Sequence, residues 1–468
     1  MFPPTSNHNQ KLKNKYPRHF KKKKKKEMSK DINQSCRTTW EGCSVLLDIN
    51  DGERLVFARL SPAATLKVGK KNCSLQPIIG CPFGSLFSVE SGKDGMYLSR
   101  VLPTDDESNA VHKEEEEETG EELRDNRALV DNNTAQSLTG EDIDELRRQG
   151  ATGDQIVEAL IANSATFDKK TSFSQEKYRL RKQKKYAPRV LVRRPFVRSI
   201  SDTYFKKNPT KIGYLRADSL SLLLSMANIT AHSDVLLVDT AGGLVTGAVA
   251  ERLGGTGHVC NMILGDKPHP MDIVRIFNFN DDICKRIVRC RLNDLLPAQD
   301  SNSEQVQEQV NDVANELDSM KEDIPLEENG TSLDTSISKT PNDTRACKSI
   351  QAGEKASQEL INSWKQKGFP SLIIAAPEAD VWTITQKLMP LLSHSASFAI
   401  YHQYVQPLAT CMHNLQKEKM AIGMQILEPW LREYQVLPSR THPRMQMSAF
   451  GGYVLCGTKI WGSEGDSH

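Results

Sequence analysis

Several features that define common protein classes are missing from this chain of 468 residues. No apolar run reaches about 18 residues, and no apolar stretch follows the basic residues near the N-terminus, so neither a membrane span nor a secretory signal is expected. The ten cysteines include no CxxC pair, which argues against a structural zinc site or a disulfide framework. No GxSxG, HExxH or P-loop pattern occurs, so hydrolase and metalloenzyme functions are not indicated.

Charge is abundant but segregated along the chain. The 61 Lys and Arg and the 59 Asp and Glu nearly cancel, yet residues 1–35 hold eleven Lys or Arg, residues 104–125 eleven acids and residues 299–356 thirteen acids. Blocks of like charge repel themselves and stay unfolded. We therefore predict a disordered basic tail at 1–35, an acidic disordered linker at 102–125 and a disordered acidic insertion at 299–356.

The basic tail contains an unbroken run from Lys21 to Lys26. Such a run is compatible with a solvated tail, a nuclear import signal or a supplementary nucleic-acid contact. The scattered single cysteines fit a reducing compartment. We take the nucleus as the expected location.

Two folded parts are expected, because 468 residues greatly exceed one typical domain of about 150. Residues 36–101 contain short alternating apolar runs with turn signals such as Asn50-Asp51-Gly52, which predicts a small N-terminal β-barrel domain. Residues 126–211 are interpreted as a helical and basic connecting segment, with capping boxes starting at Thr152 and Ser172.

From residue 212 onward, apolar strands alternate with helical patterns. This alternation predicts an α/β Rossmann-like domain with a parallel sheet, whose two parts are residues 212–298 and 357–468. One of the expected helices covers residues 271–278. An apolar strand ending at Asp239 is followed by Gly242, Gly243 and a helix, which is the place where dinucleotides and S-adenosylmethionine are held in such folds.

The features around this turn are incomplete for cofactor binding. The two glycines are adjacent rather than spaced, and the next strand ends at Leu264 without an acid. The strand end at 374–378 reads Ile-Ala-Ala-Pro-Glu, and its alanines can neither accept a proton nor bind an amino group. We interpret Asp239, Gly242 and Gly243 as a vestigial cofactor loop, and we predict neither a catalytic residue nor a metal ligand. The alternative is an active site that uses these residues together with Glu378.

A basic stretch from Lys177 to Arg216 gives the strongest functional signal. It contains fourteen Lys or Arg against one acid, Asp202, with interleaved Tyr and Phe residues that include Tyr178, Tyr186, Phe196, Tyr204 and Phe205. Nucleic-acid binding relies on cations for phosphates and on aromatic rings for unpaired bases; a solvated helix that balances the acidic segments is the other reading. The predicted RNA-binding residues, which include two from a second basic loop, are Lys184, Lys185, Arg189, Arg193, Arg194, Arg198, Arg440 and Arg444.

Three blocks of sequence carry a resemblance to a known family. Residues 125–190, residues 234–245 (DVLLVDTAGGLV) and residues 439–455 (SRTHPRMQMSAFGGYVL) closely resemble the non-catalytic subunit of the eukaryotic tRNA (adenine-N1) methyltransferase. The first block is highly specific, whereas the glycine turn alone is weak. The resemblance runs from about residue 42 to 457, outside the acidic insertions.

This resemblance implies a non-catalytic tRNA-binding subunit. In that family a paralogous catalytic subunit holds S-adenosylmethionine and methylates N1 of adenine 58 in tRNA, within a dimer of heterodimers. Here Gly242-Gly243, Leu264 and 375–377 stand where the catalytic paralogue has its glycine loop and acids. The resemblance also implies an N-terminal β-barrel and a C-terminal Rossmann-like methyltransferase domain.

Two other interpretations remain open. In the first, the chain is a self-sufficient S-adenosylmethionine-dependent RNA methyltransferase with an unusual site. This interpretation requires saturable cofactor binding by the isolated chain. In the second, the chain is a nuclear adaptor whose acidic segments and Lys tail recruit other proteins. Deleting residues 1–30 abolishes the main activity only under the adaptor interpretation.

Overall fold

The computed structural model describes residues 37–69, 71–92, 95–101, 136–265, 267–296, 352–436, 441–448 and 450–460. The predicted basic tail, the acidic linker and most of the acidic insertion lie outside the described residues, as does Arg440. The described residues form two large sheets, a two-stranded hairpin and the helices that pack on them.

The strands are β1 (Ser44–Ile49), β2 (Arg54–Arg59), β3 (Thr65–Val68), β4 (Lys71–Ser74), β5 (Leu86–Gly92), β6 (Gly95–Val101), β7 (Arg189–Arg193), β8 (Asp234–Asp239), β9 (His258–Ile263), β10 (Ile287–Arg291), β11 (Glu354–Lys355), β12 (Phe369–Ala375), β13 (Leu392–His402), β14 (Ala421–Leu427), β15 (Tyr434–Gln435), β16 (His442–Pro443) and β17 (Tyr453–Lys459). The α-helices are α1 (Gly140–Arg148), α2 (Gly153–Ala162), α3 (Ser172–Tyr186), α4 (Val197–Lys207), α5 (Ala217–Met226), α6 (Leu244–Leu253), α7 (Asp281–Cys284), α8 (Leu292–Leu295), α9 (Gln358–Lys367), α10 (Val381–Leu388) and α11 (Val405–Lys417). Short 3₁₀ helices occur at Gln76–Ile78, Thr210–Ile212, Asp272–Phe277 and Met389–Leu391. Among the described helices, none combines the length and the apolar character needed to cross a bilayer.

The N-terminal sheet has the strand order β2-β1-β7-β5-β6-β4-β3. Its first hairpin turns at Asn50 and Asp51, which both adopt positive φ, and Asp48 Oδ1 accepts a hydrogen bond of 2.6 Å from the Gly52 amide. Asn, Asp and Gly tolerate this left-handed conformation better than other residues. The hairpin predicted from these turn residues is confirmed by the antiparallel pairing of β1 with β2.

Strand β7 corrects the predicted division of the chain. It lies between β1 and β5 and pairs antiparallel with both, although its residues fall in the predicted connecting segment. Val190 and Val192 are completely buried in the N-terminal core, whereas Arg189 and Arg193 are exposed. The charged flanks make this strand look like part of the basic stretch, and only its long-range pairing reveals a central strand.

The two edge strands of the N-terminal sheet come close together. Arg54 on β2 donates a hydrogen bond of 2.8 Å from Nη1 to the carbonyl of Lys67 on β3. A sheet whose first and last strands are bridged in this way is strongly coiled. The ladders among the described residues do not include a β2–β3 pair, and so closure into a barrel stays a prediction.

Helices α1 and α2 pack together next to this sheet. Thr152 and Gln155 form the predicted capping box at the start of α2, with hydrogen bonds of 2.9 and 3.3 Å. Ile156 and Leu160 are buried between the helices, as their spacing predicts. The box predicted from Ser172 is wrong, because α3 begins at that residue and its N-cap is Thr171.

The C-terminal sheet has the strand order β11-β10-β9-β8-β12-β13-β17-β14. Its strands run parallel except β17, which is antiparallel to both of its neighbours. The direction of strand addition reverses between β8 and β12, and the crevice at such a point is where doubly wound sheets bind ligands. This topology confirms the predicted Rossmann-like fold.

Both faces of the C-terminal sheet are covered. On β8, Val235 and Leu237 join a core cluster with α4, α5 and α6, whereas Leu236 and Val238 join a second cluster with α9, α10 and α11. Strands buried on both faces appear as continuous apolar runs, which explains why the sequence identified them. The helix expected at 271–278 is instead the 3₁₀ helix at Asp272–Phe277.

Candidate functional site

The turn after β8 is the floor of the candidate cofactor crevice. Gly242 and Gly243 have positive φ, 66° and 89°, and Gly243 is the N-cap of α6. A Cβ on Gly243 would lie 2.8 Å from Met271 Cα, and one on Gly242 would lie 3.1 Å from Ile273 Cδ1. Glycine is therefore required at both positions by the backbone conformation and by the close approach of residues 271–273.

The segment that covers this turn belongs to the chain itself. Ile273 donates a backbone hydrogen bond of 3.2 Å to the carbonyl of Gly242, which joins the 3₁₀ helix to the turn. Met271 also packs against Gly353, where a Cβ would overlap the methionine Cε. Methionine adapts well to irregular space. The space that side chains at positions 242 and 243 would take is thus already occupied by residues 271–274.

Asp239, at the end of β8, is completely buried and fully engaged. Its Oδ1 accepts a hydrogen bond of 2.8 Å from the Ala241 amide, and its Oδ2 accepts two of 2.7 Å from the amide and hydroxyl of Thr246. Burial raises the pKa of Asp239, and the hydrogen bonds from Thr246 and Ala241 oppose that effect. Its carboxylate oxygens are turned toward the protein's own donors.

The other wall of the crevice is formed by the end of β12. Ala375 and Ala376 are buried, and Thr240 donates a backbone hydrogen bond of 3.0 Å to the Ala375 carbonyl. A Cβ on Gly213 would come within 2.8 Å of Pro377 Cγ, so this wall is also closely packed. Glu378 is exposed in the following turn and presents no acid to the crevice.

The residues of this crevice do not fit S-adenosylmethionine. The space over the glycine turn is filled by Met271 and Ile273, Asp239 is satisfied internally, and Leu264 follows β9 where an acid binds the ribose hydroxyls in Rossmann sites. The predicted cofactor loop is present as a tight turn. The Asp239 side chain stabilises this turn through its hydrogen bonds to Ala241 and Thr246.

The predicted basic surface is more balanced in charge than the sequence suggests. Acids from other elements lie within 4 Å of several predicted cations. These ion pairs are Lys184 with Glu53 at 3.7 Å, Arg189 with Asp154 at 3.9 Å, Arg193 with Asp48 at 2.6 Å, Arg198 with Asp202 at 3.6 Å and Arg444 with Glu433 at 3.9 Å. The Arg193 pair differs from the others because Asp48 is buried, whereas both members of the other pairs are accessible to solvent.

Two of the predicted cations, far apart in sequence, form ion pairs whose acids influence each other electrostatically. Arg198 lies on α4 and Arg444 follows β16, and their side chains are 71% and 64% exposed. Burial raises the pKa of Asp202, and the charge of Glu433 adds to this rise, so the two ion pairs are electrostatic neighbours. Arg198 and Arg444 therefore remain predicted RNA-binding residues, each with an exposed side chain.

The remaining predicted residues take different positions. Lys185 places its ammonium 5.0 Å from the ring centroid of Tyr186, at the end of α3. Arg194 precedes α4. Burial raises the pKa of Glu251, and the backbone hydrogen bond from Val197 and the charge of Arg194 oppose that rise. Lys184 and Lys185 lie in the last turn of α3, and Arg189 is the first residue of β7.

A sequence match to a family model covers most of these elements. Residues 40–321 match the model described as the Gcd10p family, which is more than half of the 468 residues. The chain belongs to the Gcd10p family. The matched range includes the N-terminal sheet, helices α1 to α3 and the glycine turn.

This Gcd10p-family chain is also similar to named relatives and to solved structures. The tRNA (adenine(58)-N(1))-methyltransferase non-catalytic subunit of Dictyostelium discoideum is 36% identical over 434 residues, covering 90% of this chain and 79% of the relative. The subunit of the same name from Mus musculus is 30% identical over 457 residues and covers 88% of each. An S-adenosylmethionine-dependent O-methyltransferase from Thermotoga maritima is 12% identical with a TM-score of 0.45, covering 91% of this chain and 96% of that one. A tRNA (m1A58) methyltransferase from Aquifex aeolicus is 11% identical with a TM-score of 0.41, covering 91% and 99%.

Two polar residues that the sequence analysis missed complete the crevice of this family member. Thr246, on the first turn of α6, donates to Asp239, and its Oγ1 accepts a hydrogen bond of 3.0 Å from Asn261 on β9. Both side chains are buried. A buried polar chain of this kind stabilises a unique packing when every member has a partner. The sequence signal that could have identified Thr246 and Asn261 is a polar residue within an otherwise apolar helix or strand.

Arg216, counted in the basic stretch, has a structural position in the Gcd10p-family fold. Its side chain is 5% exposed, and its Nε and Nη2 donate to Asp218 at 2.7 and 2.8 Å. Its Nη1 donates to the carbonyls of Ser448 and Phe450 at 3.0 and 3.1 Å, and its Nη2 to that of Pro429 at 3.3 Å. Arg216 therefore holds both ends of the segment at 429–450, which we call the C-terminal hairpin, against α5.

Proposed function

We propose that this chain is the non-catalytic tRNA-binding subunit of a tRNA (adenine(58)-N1)-methyltransferase. It supports N1-methylation of adenine 58 by a separate catalytic subunit, as the names of its relatives suggest. The observation that carries this proposal is a Rossmann-like sheet in which Met271 and Ile273 pack against the glycine turn and Asp239 is engaged by the protein's own donors. The chain itself is not the enzyme.

The contribution of this chain to the reaction is binding and orientation. A tRNA offers a phosphate backbone, and Arg198 and Arg444 each offer an exposed guanidinium group. Exposed ion pairs contribute little to stability, so phosphate oxygens can replace Asp202 and Glu433 as partners at small cost. Arg193 is less available, because leaving the buried Asp48 without its cation is costly.

Charge reversal at the two exposed arginines tests this binding surface. In the Arg198→Glu, Arg444→Glu variant, we expect affinity for tRNA at about 0.15 M salt to fall by about tenfold to a hundredfold. The slope of log affinity against log salt should decrease by about 0.7 to 0.9 for each lost phosphate contact. Fluorescence anisotropy with labelled tRNA over a salt series measures both quantities.

A matched control removes equal charge from the opposite face of the sheet. Lys365 and Lys367 are exposed on α9, which packs on the core cluster opposite α4. The Lys365→Glu, Lys367→Glu variant should retain nearly the parent affinity. Equal loss in both variants would indicate a general charge effect and would remove Arg198 and Arg444 from the proposed surface.

The partner that supplies the chemistry is, in this proposal, a paralogous subunit that binds S-adenosylmethionine, in a dimer of heterodimers. The C-terminal hairpin offers a surface for it. Its most exposed large apolar side chains are Trp430 at 75%, Tyr434 at 52%, Val436 at 74% and Met445 at 83% exposure. Clusters of exposed apolar residues mark association sites, and Arg216 fixes the base of this one.

Replacing Trp430 with alanine should weaken association with the catalytic subunit by about thirtyfold or more, as expected for a central aromatic anchor. Biolayer interferometry with the two purified subunits measures this change in affinity. Trp40, 42% exposed beside the N-terminal sheet, provides the control through Trp40→Ala. Unchanged affinity in Trp430→Ala would exclude the hairpin as the docking surface.

For the location of the complex, the proposal is the nucleus. The supporting feature is the run from Lys21 to Lys26, which lies outside the described residues. Deleting residues 1–30 should move a fluorescently tagged chain out of the nucleus, while the purified complex keeps its tRNA methylation rate. Loss of methylation in the purified complex would instead favour the adaptor interpretation.

A further inference from the structure

A cavity of about 550 Å³ lies between the N-terminal sheet and helices α1 to α3. Its walls include Asn50, Arg54, Glu90, Tyr97, Arg147 and Tyr186. Pockets for small molecules and cofactors are typically about 300–1,000 Å³. None of the residues that line this cavity belongs to the crevice above the glycine turn.

The charged groups of this cavity favour an anionic ligand. Four cations line it, Arg54, Arg147, Lys184 and Lys185, against two acids, Glu53 and Glu90. The Glu90 carboxylate is engaged, because Oε1 accepts a hydrogen bond of 2.7 Å from Ser88 and Oε2 one of 2.9 Å from Tyr97. Four cations against two acids leave an excess of positive charge at the cavity wall, and the Glu90 oxygens already have partners.

Two tyrosines add flat apolar surfaces to the same cavity. Tyr97 is 47% exposed, and its hydroxyl donates to Glu90, which restrains the ring. The ring of Tyr186 has the cations of Arg147 and Lys185 at 5.8 and 5.0 Å from its centroid. Aromatic rings beside cations are the groups that bind unpaired nucleotides, because bases stack on the rings and phosphates pair with the cations.

The walls of the cavity are held in place by close packing. A Cβ on Gly153 would lie 2.6 Å from the Tyr186 carbonyl, so helices α2 and α3 meet without spare room. The Asn50 side chain donates a hydrogen bond of 3.1 Å to the Lys184 carbonyl and accepts one of 3.1 Å from the Arg189 amide. These two bonds join the end of α3 to the sheet. A cavity with fixed walls loses little entropy on binding.

We propose that this cavity binds a single unpaired nucleotide, with the cations on its phosphate and a tyrosine ring against its base. The source that we favour is a nucleotide of the bound tRNA, which rests on the proposed function; a free nucleotide is the other source of the same chemistry. Recognition of RNA commonly uses bases splayed out of the helix. The cavity would hold one such base away from the basic surface at Arg198 and Arg444.

Substitutions of Tyr97 test this proposal in the full chain assembled with its catalytic subunit. Tyr97→Ala should weaken tRNA binding by about tenfold, whereas Tyr97→Phe, which keeps the ring, should remain within about twofold of the parent. The salt slope should not change, because no cation is lost. Tyr404, 60% exposed before α11, provides the control Tyr404→Ala, which should bind like the parent.

A second readout does not depend on the variants. Ultraviolet crosslinking of the parent complex to tRNA, followed by mass spectrometry, should give nucleotide adducts on peptides containing Tyr97 or Tyr186. Titration of the complex with adenosine monophosphate then distinguishes a nucleotide of the bound tRNA from a free nucleotide as the ligand. Saturable binding that Tyr97→Ala removes, with tRNA affinity unchanged, would support the nucleotide site and assign it to a free nucleotide.

The failures of the two proposals are distinguishable. If Tyr97→Ala leaves both tRNA and adenosine monophosphate binding at parent values and no adduct maps to this cavity, the nucleotide site is overturned. The proposed function then still stands on the effect of reversing Arg198 and Arg444. If those reversals have no effect while Tyr97→Ala weakens binding, the nucleotide site stands and the proposed surface is lost.

Discussion

Replacing Arg216 with methionine should lower the free energy of unfolding by about 3–5 kcal/mol. The variant removes a nearly buried cation that pairs with Asp218 through two hydrogen bonds and also donates to the carbonyls of Ser448, Phe450 and Pro429. Without Arg216 the carboxylate and these carbonyls lose their donor, and their desolvation is no longer offset. Chemical denaturation of the isolated chain, followed by circular dichroism, measures the change.

The control for this prediction is an arginine of the same basic stretch. Arg198 is 71% exposed, and Arg198→Met should change the free energy of unfolding by no more than about 0.5 kcal/mol. The hairpin should also become more accessible in Arg216→Met, which limited proteolysis near residues 429–450 would detect. Similar stability of both variants would contradict the structural position of Arg216.

The folded chain alone should show no saturable binding of S-adenosylmethionine, and it should transfer no methyl group to tRNA. The reason is steric and electrostatic, because Met271 and Ile273 occupy the space above the glycine turn and Asp239 already accepts three hydrogen bonds. Adding the catalytic subunit should restore methylation of adenine 58. Titration calorimetry and incorporation of labelled methyl groups into tRNA measure the two results.

One variant tests whether the Met271 side chain alone prevents cofactor binding. Met271→Gly removes the side chain over Gly243 and Gly353, but it leaves the hydrogen bonds of Asp239 to Thr246 intact. We therefore expect it to remain without cofactor binding. Stoichiometric binding by the parent chain would instead support the self-sufficient enzyme, in which Asp239, Gly242, Gly243 and Glu378 form the site.

The parts of the fold that the sequence predicted are those with strong local signals. The parallel strands are continuous apolar runs, the β1–β2 turn has Asn50-Asp51-Gly52, and α2 has its capping box at Thr152. Strand β7 was not predictable in this way, because its neighbours β1 and β5 precede it by more than ninety residues. Pairing at such a distance leaves little trace in a local pattern.

The candidate site shows the same division. The missing acid at Leu264 and the alanines at 375 and 376 can be read directly from the sequence. The position of Met271 over the turn cannot, because it depends on how the 3₁₀ helix packs. Charge counting likewise treats Arg198 and Arg216 as equivalent, whereas burial separates an exposed cation from a structural one.

The position of β7 has a consequence for synthesis of the chain. The ribosome completes β1 to β6 long before it reaches β7, and until then β1 and β5 each expose an unpaired edge. Unpaired edges of this kind invite association with other chains. The nascent N-terminal sheet therefore passes through a vulnerable interval that ends only when residue 193 has emerged, and molecular chaperones would act on it at that stage.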